Sequence, residues 1–434
     1  MTDALRRILS VRGTRAAHPR RAGVRVAYYS PLPPERTGIA AYSALLLPAL
    51  RQRLEVEVAR RGAQAPRADV ALYHVGNNPE AHSWIVEALL RRPGVVALHD
   101  FVLHHLVAGM TLARGDAEAY LRAMEREAGL AGRLLAYGVL DGRLPPLWES
   151  RPHDFPLAGG VLDAAAGLIV HSRHVERRAR EAGYAGRVWR IPHPAWPVPA
   201  VEPPTLPGTP VIGCFGHVTP TKRIPQLLAA FTRLRRRHAR ALLLLVGPVA
   251  PRFDLAGQLA RFGLERSEAV LREEYVDERR LWGLMAASDV CVNLRAPTMG
   301  ETSGSVVRAL SLGRPLVVSD VGWFSELPAD VALKVPPDDH ETDVLTAALE
   351  LLAGDEAVRG AMADAARAYV EREHDLAAIA DRYAAALELA AGGDAVAEAV
   401  LADVAQAAAD VGIRAGDPEV GELASRVREL ELAP

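Results

Sequence analysis

Cysteine and long apolar segments are scarce in this chain of 434 residues. Its two cysteines, Cys214 and Cys291, both lie in apolar runs, so we expect buried hydrophobic side chains rather than a disulfide or metal ligands. No apolar run reaches the ~18 residues that a membrane-spanning helix needs. The N-terminus also lacks the apolar core of a signal peptide. These absences predict a soluble protein of the reducing cytosol.

An excess of charge is also missing, because the formal net charge is −2 at pH 7. A protein that binds nucleic acid mainly by neutralising phosphates is therefore excluded. Residues 1–22 are an exception, since they carry six arginines and one acidic residue. Two interpretations stay open for this basic leader. It lies on an anionic membrane at the inner face, or it is a disordered terminus, which we favour because chain ends are often unordered.

Lysine is almost absent, and the only two lysines are Lys222 and Lys334. Lysine and arginine differ in hydration and in hydrogen-bond geometry. A lysine in a Gly-containing loop of such an arginine-rich chain indicates that a compact ammonium group is needed there. This inference concerns Lys222, in the loop that starts at Gly216, whereas Lys334 is interpreted as incidental.

The dinucleotide-binding pattern G-x-G-x-x-G is absent, so an oxidoreductase is the least supported function. The first predicted strand, Val24–Ser30, leads instead through a Pro- and Gly-rich loop into a helix from about Ile39. Within that loop, Gly38 lets the backbone approach a ligand in front of the helix N-terminus. A glycine needed only for a tight turn is the alternative, and both interpretations stay open.

The most informative segment present is Arg295–Pro328, RAPTMGETSGSVVRALSLGRPLVVSDVGWFSELP. It predicts a loop of small and hydroxyl residues, a helix over Val306–Leu312 and a buried strand over Leu316–Ser319. Backbone N–H groups before a helix start, together with the helix dipole, form an anion site. The loop residues in question are Thr302, Ser303 and Gly304. A carboxylate there, Glu301, suits sugar hydroxyls better than phosphate, and the combination indicates an activated sugar.

The pattern along the chain predicts two doubly wound α/β domains, since strands and helices alternate twice around a proline-rich break. Polar residues follow two strands of the first domain, namely Asn77 and Asn78 after one and His99 with Asp100 after the next. Ligands of open parallel sheets bind beyond these carboxyl ends. The predicted parts are a leader (1–22), a first domain (23–198), a linker (199–210), a second domain (211–372), a return helix (373–390) and a helical tail (391–434).

With the second domain laid out, its motifs resemble those of glycosyltransferase family four. The motifs GHVTPTKRIPQLLAAF, LLLLVGP, the segment Arg295–Pro328 and EREHDLAAIADRY occur in the family's order. In the first domain GIAAYS, YHVGNN and VVALHDFVLHHL resemble a bacterial branch that acts on cell-surface glycans. The resemblance covers residues 24–390. It implies a GT-B fold, with two Rossmann-like domains across a cleft, a C-terminal helix crossing back to the first, and a nucleotide-sugar donor held mainly by the second.

Site residues follow from this resemblance position by position. Lys222 matches a lysine on the donor diphosphate, and His217 stands where an arginine usually shares that task. His99 resembles a histidine near the donor sugar, and Gly38 matches the loop that the diphosphate and acceptor approach. The expected donor-binding set is Gly38, Gly216, His217, Lys222, Glu301, Thr302, Ser303, Gly304 and Arg308. The acceptor is expected to meet the first-domain residues Arg36, Asn77 and Asn78.

The chain departs from the family at its two glutamates. Counting back from Gly313-x-Pro315, these positions fall on Gly300 and Arg308, and Glu301 stands one residue after the first. A loop can absorb such a shift, so Glu301 is expected to reach the sugar. Arg308 cannot accept hydrogen bonds from ribose hydroxyls as a carboxylate does.

The leading hypothesis is a hexosyltransferase that moves a sugar from a nucleotide donor to a glycan or lipid-linked acceptor, with retention at the anomeric carbon. The chain has no Asp-x-Asp pair, which metal-dependent transferases commonly use, so neither a metal nor another cofactor is expected. His99, Lys222 and Glu301 are the expected catalytic residues. The alternatives are a non-catalytic GT-B scaffold in polysaccharide assembly and a nucleotide-sugar epimerase.

Overall fold

The computed structural model describes residues 24–265 and 267–392, together with Ile413 and Asp417. The basic leader 1–22 and nearly all of the predicted tail 391–434 lie outside these residues. The described chain forms two parallel sheets of six strands each, covered by helices. No described helix has the length and apolar character needed to cross a membrane. The predicted pair of doubly wound α/β domains is confirmed.

The first sheet has the strand order β2-β1-β3-β4-β5-β6. Its strands are β1 (Arg25–Tyr29), β2 (Glu55–Val58), β3 (Val70–Val75), β4 (Gly94–Leu98), β5 (Ala165–Val170) and β6 (Arg187–Arg190). Every residue of β3 and β4 is buried, as expected for parallel strands that are covered on both faces. Sequence analysis missed β2, because this edge strand is short and neither of its faces is fully buried.

The first-domain helices lie on both faces of this sheet. They are α1 (Gly38–Arg51), α2 (Pro79–Arg91), α3 (His104–Met110), α4 (Ala117–Leu140), α5 (Leu147–Ser150), α6 (Gly159–Ala164) and α7 (Arg173–Glu181), with a 3₁₀ turn at Leu112–Arg114. The chain from Met110 to Tyr137 contains the 3₁₀ turn and most of α4, and α4 is itself broken at Ala128 and Gly129.

The second sheet has the order β12-β11-β10-β7-β8-β9. Its strands are β7 (Val211–Phe215), β8 (Leu242–Val246), β9 (Val270–Glu273), β10 (Val290–Asn293), β11 (Leu316–Ser319) and β12 (Ala332–Val335). Its helices are α8 (Ile224–Leu234), α9 (Leu255–Arg261), α10 (Glu278–Ala286), α11 (Gly304–Ser311), α12 (Glu341–Gly354) and α13 (Glu356–Glu373). Cys214 and Cys291 are buried and free in β7 and β10, as predicted.

The last described helix, α14 (Leu376–Gly392), leaves the second domain and packs on the first. The Tyr383 hydroxyl lies 2.7 Å from the Tyr42 hydroxyl of α1, and Arg53 Nε donates to Asp381 Oδ1 at 2.6 Å. Ile379 and Leu387 join the hydrophobic core beneath the first sheet. The predicted C-terminal helix that crosses back is therefore present.

Two further contacts connect the domains at the carboxyl ends of their strands. The Met299 carbonyl accepts hydrogen bonds from Phe101 N at 2.8 Å and Val102 N at 3.0 Å. The carboxylate of Glu326 accepts from Arg173 N at 3.0 Å and His174 N at 2.7 Å. A second-domain side chain thus caps the N-terminus of α7, where a negative charge is favourable. These contacts bring the loop before α11 against the first domain.

Candidate functional site

Lys222 ends a 3₁₀ turn, Pro220–Lys222, directly after the carboxyl end of β7. Its side chain is buried, with 3% of the residue exposed, and Nζ donates to the carbonyl of Phe215. A methyl group on Gly216 would stand 3.2 Å from Nζ. Burial lowers the pKa of Lys222 to about 8, so most of the ammonium stays charged at neutral pH. The predicted diphosphate lysine is therefore a buried cation at a strand end.

His217 is exposed in the same loop, next to Lys222. Loss of solvation, and then the charge of Lys222, lower the pKa of His217. The imidazole is therefore mostly neutral at pH 7, because its ordinary pKa already lies below that value. In the position where the resemblance implies an arginine, this chain has a hydrogen-bonding group and no full charge.

The N-terminus of α11 brings backbone donors to the same edge of the sheet. Ser303 caps the helix, since its Oγ accepts from Val306 N at 3.4 Å. Among the described residues, no acceptor pairs with the N–H groups of Thr302, Ser303 and Gly304, and the buried Oγ1 of Thr302 also has no partner. These donors and the helix dipole lie where the sequence predicted an anion site, and the binding of an anion there stays a prediction.

Asn293 is a site residue that sequence analysis missed. It is buried at the end of β10, and its Nδ2 donates to Ser305 Oγ at 2.9 Å and lies 3.4 Å from Ser303 Oγ. The loop after β10 also joins the lysine loop, because Ala296 N donates to Thr221 O at 2.9 Å. The sequence signal that could have identified Asn293 is a polar residue at the end of a buried apolar strand.

Glu301 is held within its own loop. Its Oε1 lies 2.7 Å from Arg295 Nε, and its Oε2 accepts from Thr298 Oγ1 at 2.9 Å and from Met299 N at 2.7 Å. The carboxylate therefore fixes the turn whose Met299 carbonyl meets the first domain. Contact between Glu301 and sugar hydroxyls stays a prediction. Whether or not it binds sugar, the carboxylate holds the turn at Met299 in place.

Gly300 explains why the carboxylate is displaced by one residue. Its φ of +85° lies in the left-handed region that favours glycine. A Cβ at this position would also stand 2.8 Å from Cβ of Phe101 in the first domain. A glutamate at position 300 would be strained and would collide with the opposite domain. The next residue in the chain therefore carries the acid.

Arg308 packs between two tryptophans instead of reaching open solvent. Its guanidinium lies 3.5 Å from the ring centre of Trp196 and 5.9 Å from that of Trp282. Its Nη2 lies 3.5 Å from Oε1 of Glu278 on α10, and the Glu278 side chain is 64% exposed while that of Arg308 is 12% exposed. Burial lowers the pKa of Arg308, yet a guanidinium stays charged. Sequence analysis singled out neither Trp196 nor Glu278.

His99 follows β4 and is buried among other rings. Its Nε2 lies 2.9 Å from Nδ1 of His74, and its ring centre is 4.7 Å from that of Tyr42 and 4.9 Å from that of His171. Burial, and then the neighbouring His171, lower its pKa well below the usual range. His99 is therefore a neutral hydrogen-bonding group. Its contact with a donor sugar stays a prediction.

Asp100, which sequence analysis noted only as the neighbour of His99, faces the second domain. Its Oδ2 accepts from Asn77 N at 2.8 Å. Burial, and then the negative charge of Glu301, raise its pKa to about 7. A carboxyl group that titrates near neutrality therefore lies at the domain contact. It is within electrostatic reach of the loop before α11 that carries Glu301, which is the proposed donor loop.

The predicted acceptor residues differ in whether their side chains are already engaged in hydrogen bonds within the protein. Asn77 Oδ1 accepts from Leu106 N at 3.1 Å, and Asn78 Oδ1 caps α2 by accepting from Glu80 N at 2.9 Å. These oxygens are committed to the local backbone. Arg36 is exposed beside Gly38, which has open space where a Cβ would stand and no left-handed backbone. Neither a tight turn nor packing requires a glycine at position 38, so ligand approach is the better supported interpretation.

No group of three or more histidine, cysteine or acidic side chains with metal-binding geometry occurs among the residues that the structure describes. The positive groups of the site are Lys222, the α11 amides and two arginines, Arg295 and Arg308. The metal independence that was expected from the sequence stays a prediction.

Known proteins resemble this chain in sequence over the second domain and in fold over most of its length. Residues 209–354 match the family model of glycosyl transferases group 1. No match was found among curated proteins. The solved structure of Anabaena HepE in complex with UDP and glucose is 18% identical, with a TM-score of 0.58 over 84% of this chain and 99% of that one. Sucrose-phosphate synthase from Thermosynechococcus elongatus is also 18% identical, with a TM-score of 0.56 over 83% and 97%.

Structural likeness at this identity establishes the fold. The matched fragment, residues 209–354, contains Lys222, Glu301 and Arg308. The resemblance inferred from motifs is thus supported independently over the second domain and by the architecture of the whole. This chain has the GT-B fold of glycosyltransferases, and its residues 209–354 match the family model of glycosyl transferases group 1.

Proposed function

We propose that this protein transfers a hexose from a nucleotide-sugar donor to a glycan or lipid-linked acceptor, with retention of anomeric configuration and without a metal ion. The observation that carries the proposal is that the buried Lys222 ammonium and the unpartnered amides at the start of α11 lie at the same edge of one sheet, in loops joined by the hydrogen bond from Ala296 N to Thr221 O. A buried cation and a helix N-terminus are complementary to a diphosphate.

Uridine diphosphate sugars are the first donors to examine. HepE, of similar fold, is described in complex with UDP and glucose. An E. coli structure described as trehalose-6-phosphate bound with UDP-2-fluoro glucose has a TM-score of 0.53 over 84% of this chain and 98% of that one, at 11% identity. These ligands belong to those proteins, and they guide the choice of donor for this one.

In the proposed reaction the second domain stabilises the leaving group. Lys222 and the amides of Thr302 and Gly304 bind the diphosphate oxygens, on which negative charge grows as the glycosidic bond breaks. Preorganised donors of this kind contribute strongly because they need no reorganisation during the reaction. The resemblance implies that the departing phosphate takes the acceptor proton, so no protein nucleophile is required.

Residues of both domains would position the reacting groups. Glu301 and His99 would orient the sugar hydroxyls, and Arg36 would meet the acceptor near Gly38. Such positioning converts an encounter of two molecules into a reaction within one complex. Asp100 is excluded as a strong base at low pH, because its carboxyl group is protonated below about 7.

The test is to incubate the full chain with UDP-glucose and follow release of UDP and the configuration of the sugar product by NMR. Transfer or slow hydrolysis that keeps the α configuration supports the proposal. Inversion would overturn the retaining mechanism. If no nucleotide sugar in a panel raises the thermal unfolding temperature, the donor site itself is wrong, since a ligand that binds only the folded state must stabilise it.

A non-catalytic scaffold is the second candidate, and the Arg308 environment favours it. At the ribose position the chain has an arginine stacked on Trp196, and the neutral His217 replaces a cation. A scaffold would bind a nucleotide sugar, or none, without turnover. An epimerase would convert the donor alone, so a changed sugar that is still attached to its nucleotide identifies that activity.

A further inference from the structure

A cavity lies on the side of the first domain next to the edge strand β2, and none of the predicted donor-binding residues lines it. It has a volume of about 480 Å³ and lies between the loop that follows β2 and helix α2. Six of the residues that line it are charged, and they are Arg60, Arg61, Glu87, Arg91, Arg92 and Arg114. Five arginines and one glutamate surround this arginine cavity, in a chain whose formal net charge is −2.

The local fold explains how these arginines meet. A turn closes where Ala63 N donates to Arg60 O at 3.1 Å, and Gly62 adopts a φ of +78° that favours glycine. This turn places the adjacent pair Arg60 and Arg61 at the cavity. A second adjacent pair, Arg91 and Arg92, comes from the end of α2. Two double-arginine segments that are distant in sequence thus share one cavity.

Only two of the five guanidinium groups have partners. Arg114 Nη1 lies 2.5 Å from Glu87 Oε1, and Arg92 Nη2 donates to Ala68 O at 2.6 Å. Arg60, Arg61 and Arg91 are exposed, and none makes a side-chain hydrogen bond or ion pair with another described residue.

Like charges that line one concave surface repel each other, and the cavity focuses their potential. A bound anion removes this repulsion. The planar fork of arginine suits phosphate in particular, because two N–H groups can meet two oxygens of the same group. The cavity therefore brings together several arginines, the side chain best suited to phosphate. Three of them, Arg60, Arg61 and Arg91, are not neutralised by a carboxylate of the described residues.

The remaining lining of the cavity contains two aromatic residues, Tyr29 and Trp84, among mostly small residues. Trp84 lines it while partly exposed, and its ring centre is 6.0 Å from that of Tyr29. A flat apolar ring next to guanidinium groups suits a ligand with both a carbon face and an anionic group. The volume is in the range of small-molecule sites. No residue of the cavity belongs to the predicted donor-binding set.

We propose that the arginine cavity is a separate binding site for a phosphate ester, with the phosphate held by Arg60, Arg61 and Arg91 and the organic part against Trp84. The inference does not depend on glycosyl transfer, because it uses other residues of the chain. The same chemistry occurs in a soluble sugar phosphate and in the headgroup of an anionic lipid.

The experiment titrates the full chain with glucose 6-phosphate by calorimetry at about 0.05 M salt, where charge screening is weak. The test variant is Arg60→Gln/Arg61→Gln. The matched control is Arg236→Gln/Arg240→Gln, which removes two exposed arginines from the second domain. Loss of charged hydrogen bonds predicts affinity weakened about tenfold or more in the test variant and unchanged in the control. Circular dichroism checks that both variants fold.

Two further arms separate the sources and the sites. Lys222→Ala should keep glucose 6-phosphate binding, because Lys222 belongs to the donor site; its loss would assign the binding to that site and overturn the inference. Sedimentation with phosphatidylcholine vesicles that contain phosphatidic acid tests the lipid source. Vesicle binding that the test variant loses and the control keeps supports the cavity with a lipid ligand. No binding of either probe, or equal weakening in both variants, overturns the proposal.

Discussion

Each of the two domains has a parallel sheet of six strands, with a different strand order, and the carboxyl ends of the strands are used differently. In the first domain these ends carry buried rings, where His74, His99 and His171 pack around Tyr42. In the second domain they carry the Lys222 ammonium and the donors at the start of α11. One edge is filled by its own side chains, while the other presents unpartnered donors.

Electrostatics explains the difference. Burial lowers the pKa of His74, His99 and His171, so neutral rings can pack without leaving charges unsolvated. Lys222 is buried too, yet its pKa falls only to about 8 and the charge is kept. We therefore expect substitutions at the strand ends of the first domain to affect mainly stability. Substitutions at the strand ends of the second domain should affect mainly the binding and turnover of the nucleotide-sugar donor.

The largest effect is expected for Lys222→Ala, which removes the cation from the strand ends of the second domain. Turnover of the donor should fall about 100-fold or more, as when a preorganised charge-stabilising group is deleted. Lys334→Ala is the matched control, because Lys334, the other lysine, lies away from the proposed donor site and donates to Ser325 O at 2.6 Å. Steady-state kinetics on both variants measures the contrast. Equal activity in the two variants would contradict the proposed site.

Glu301→Gln tests whether the domain contact positions the donor loop. The amide keeps the shape but loses the ion pair with Arg295, so the loop should shift and kcat/KM should fall about tenfold to 100-fold, as positioning effects do. Glu326→Gln is the control, since Glu326 joins the domains at the cap of α7 and not at the donor loop. A larger loss in the control than in Glu301→Gln would argue against the assignment.

His99→Gln tests whether the strand ends of the first domain are purely structural. His99 belongs to the packed ring cluster there and is also expected to position the sugar. We expect lower thermal stability together with kcat reduced about tenfold, in the range of positioning effects. His74→Gln disturbs the same ring cluster and should reduce stability alone. Measuring unfolding temperature and kcat on both variants separates the roles. Unchanged kcat in His99→Gln would leave the strand ends of the first domain purely structural.

Glu278→Gln tests whether α10 supplies the carboxylate that the helix position Arg308 lacks. Glu278 lies by Arg308 and is exposed, so it can accept bonds from ribose hydroxyls. Nucleotide affinity should weaken about threefold to tenfold, the usual worth of one such hydrogen bond, and preference for ribose over deoxyribose should shrink. Glu274→Gln, an exposed acid that pairs with Arg272, is the control. Calorimetry with UDP and its deoxy analogue gives both numbers.

The smallest effect concerns pH. The pKa of Lys222 is lowered to about 8, so the free protein loses this charge as pH rises through that value. With limiting donor, kcat/KM should be flat near pH 7 and fall by up to about tenfold per unit well above 8. Lys222→Ala should lack this limb. A profile that rises through pH 8 would contradict a role for the protonated amine.

Sequence analysis could predict most of the fold, because alternation and burial follow from local pattern. The predicted strand Leu316–Ser319 has the bounds of β11, and the helix predicted over Val306–Leu312 overlaps α11. The edge strand Glu55–Val58 was missed because its four residues alternate charge and valine without a fully buried face. Its pairing with β1 depends on a neighbour that lies distant in the sequence.

A candidate site could be proposed from the sequence wherever one residue type carried the signal, and the roles of its residues stay predictions. Lys222 stood out through the rarity of lysine, and the α11 amides through the small residues before the helix. Trp196, Glu278 and Asn293 could not be found in this way, because each acts through a partner brought near by the fold. Arg308 shows the limit, since its sequence position implied a ribose contact while its side chain lies on Trp196.

The sequence by itself determined the two α/β halves, the lysine loop and the hydroxyl-rich loop before α11, since these depend on residue types and their spacing. Tertiary structure alone decided that Gly300 must be glycine, because Phe101 of the opposite domain fills the space of its Cβ. It also decided the partners of Glu301 and Arg308 and the meeting of two double-arginine segments. These features depend on distances between residues far apart in the chain, which no local pattern encodes.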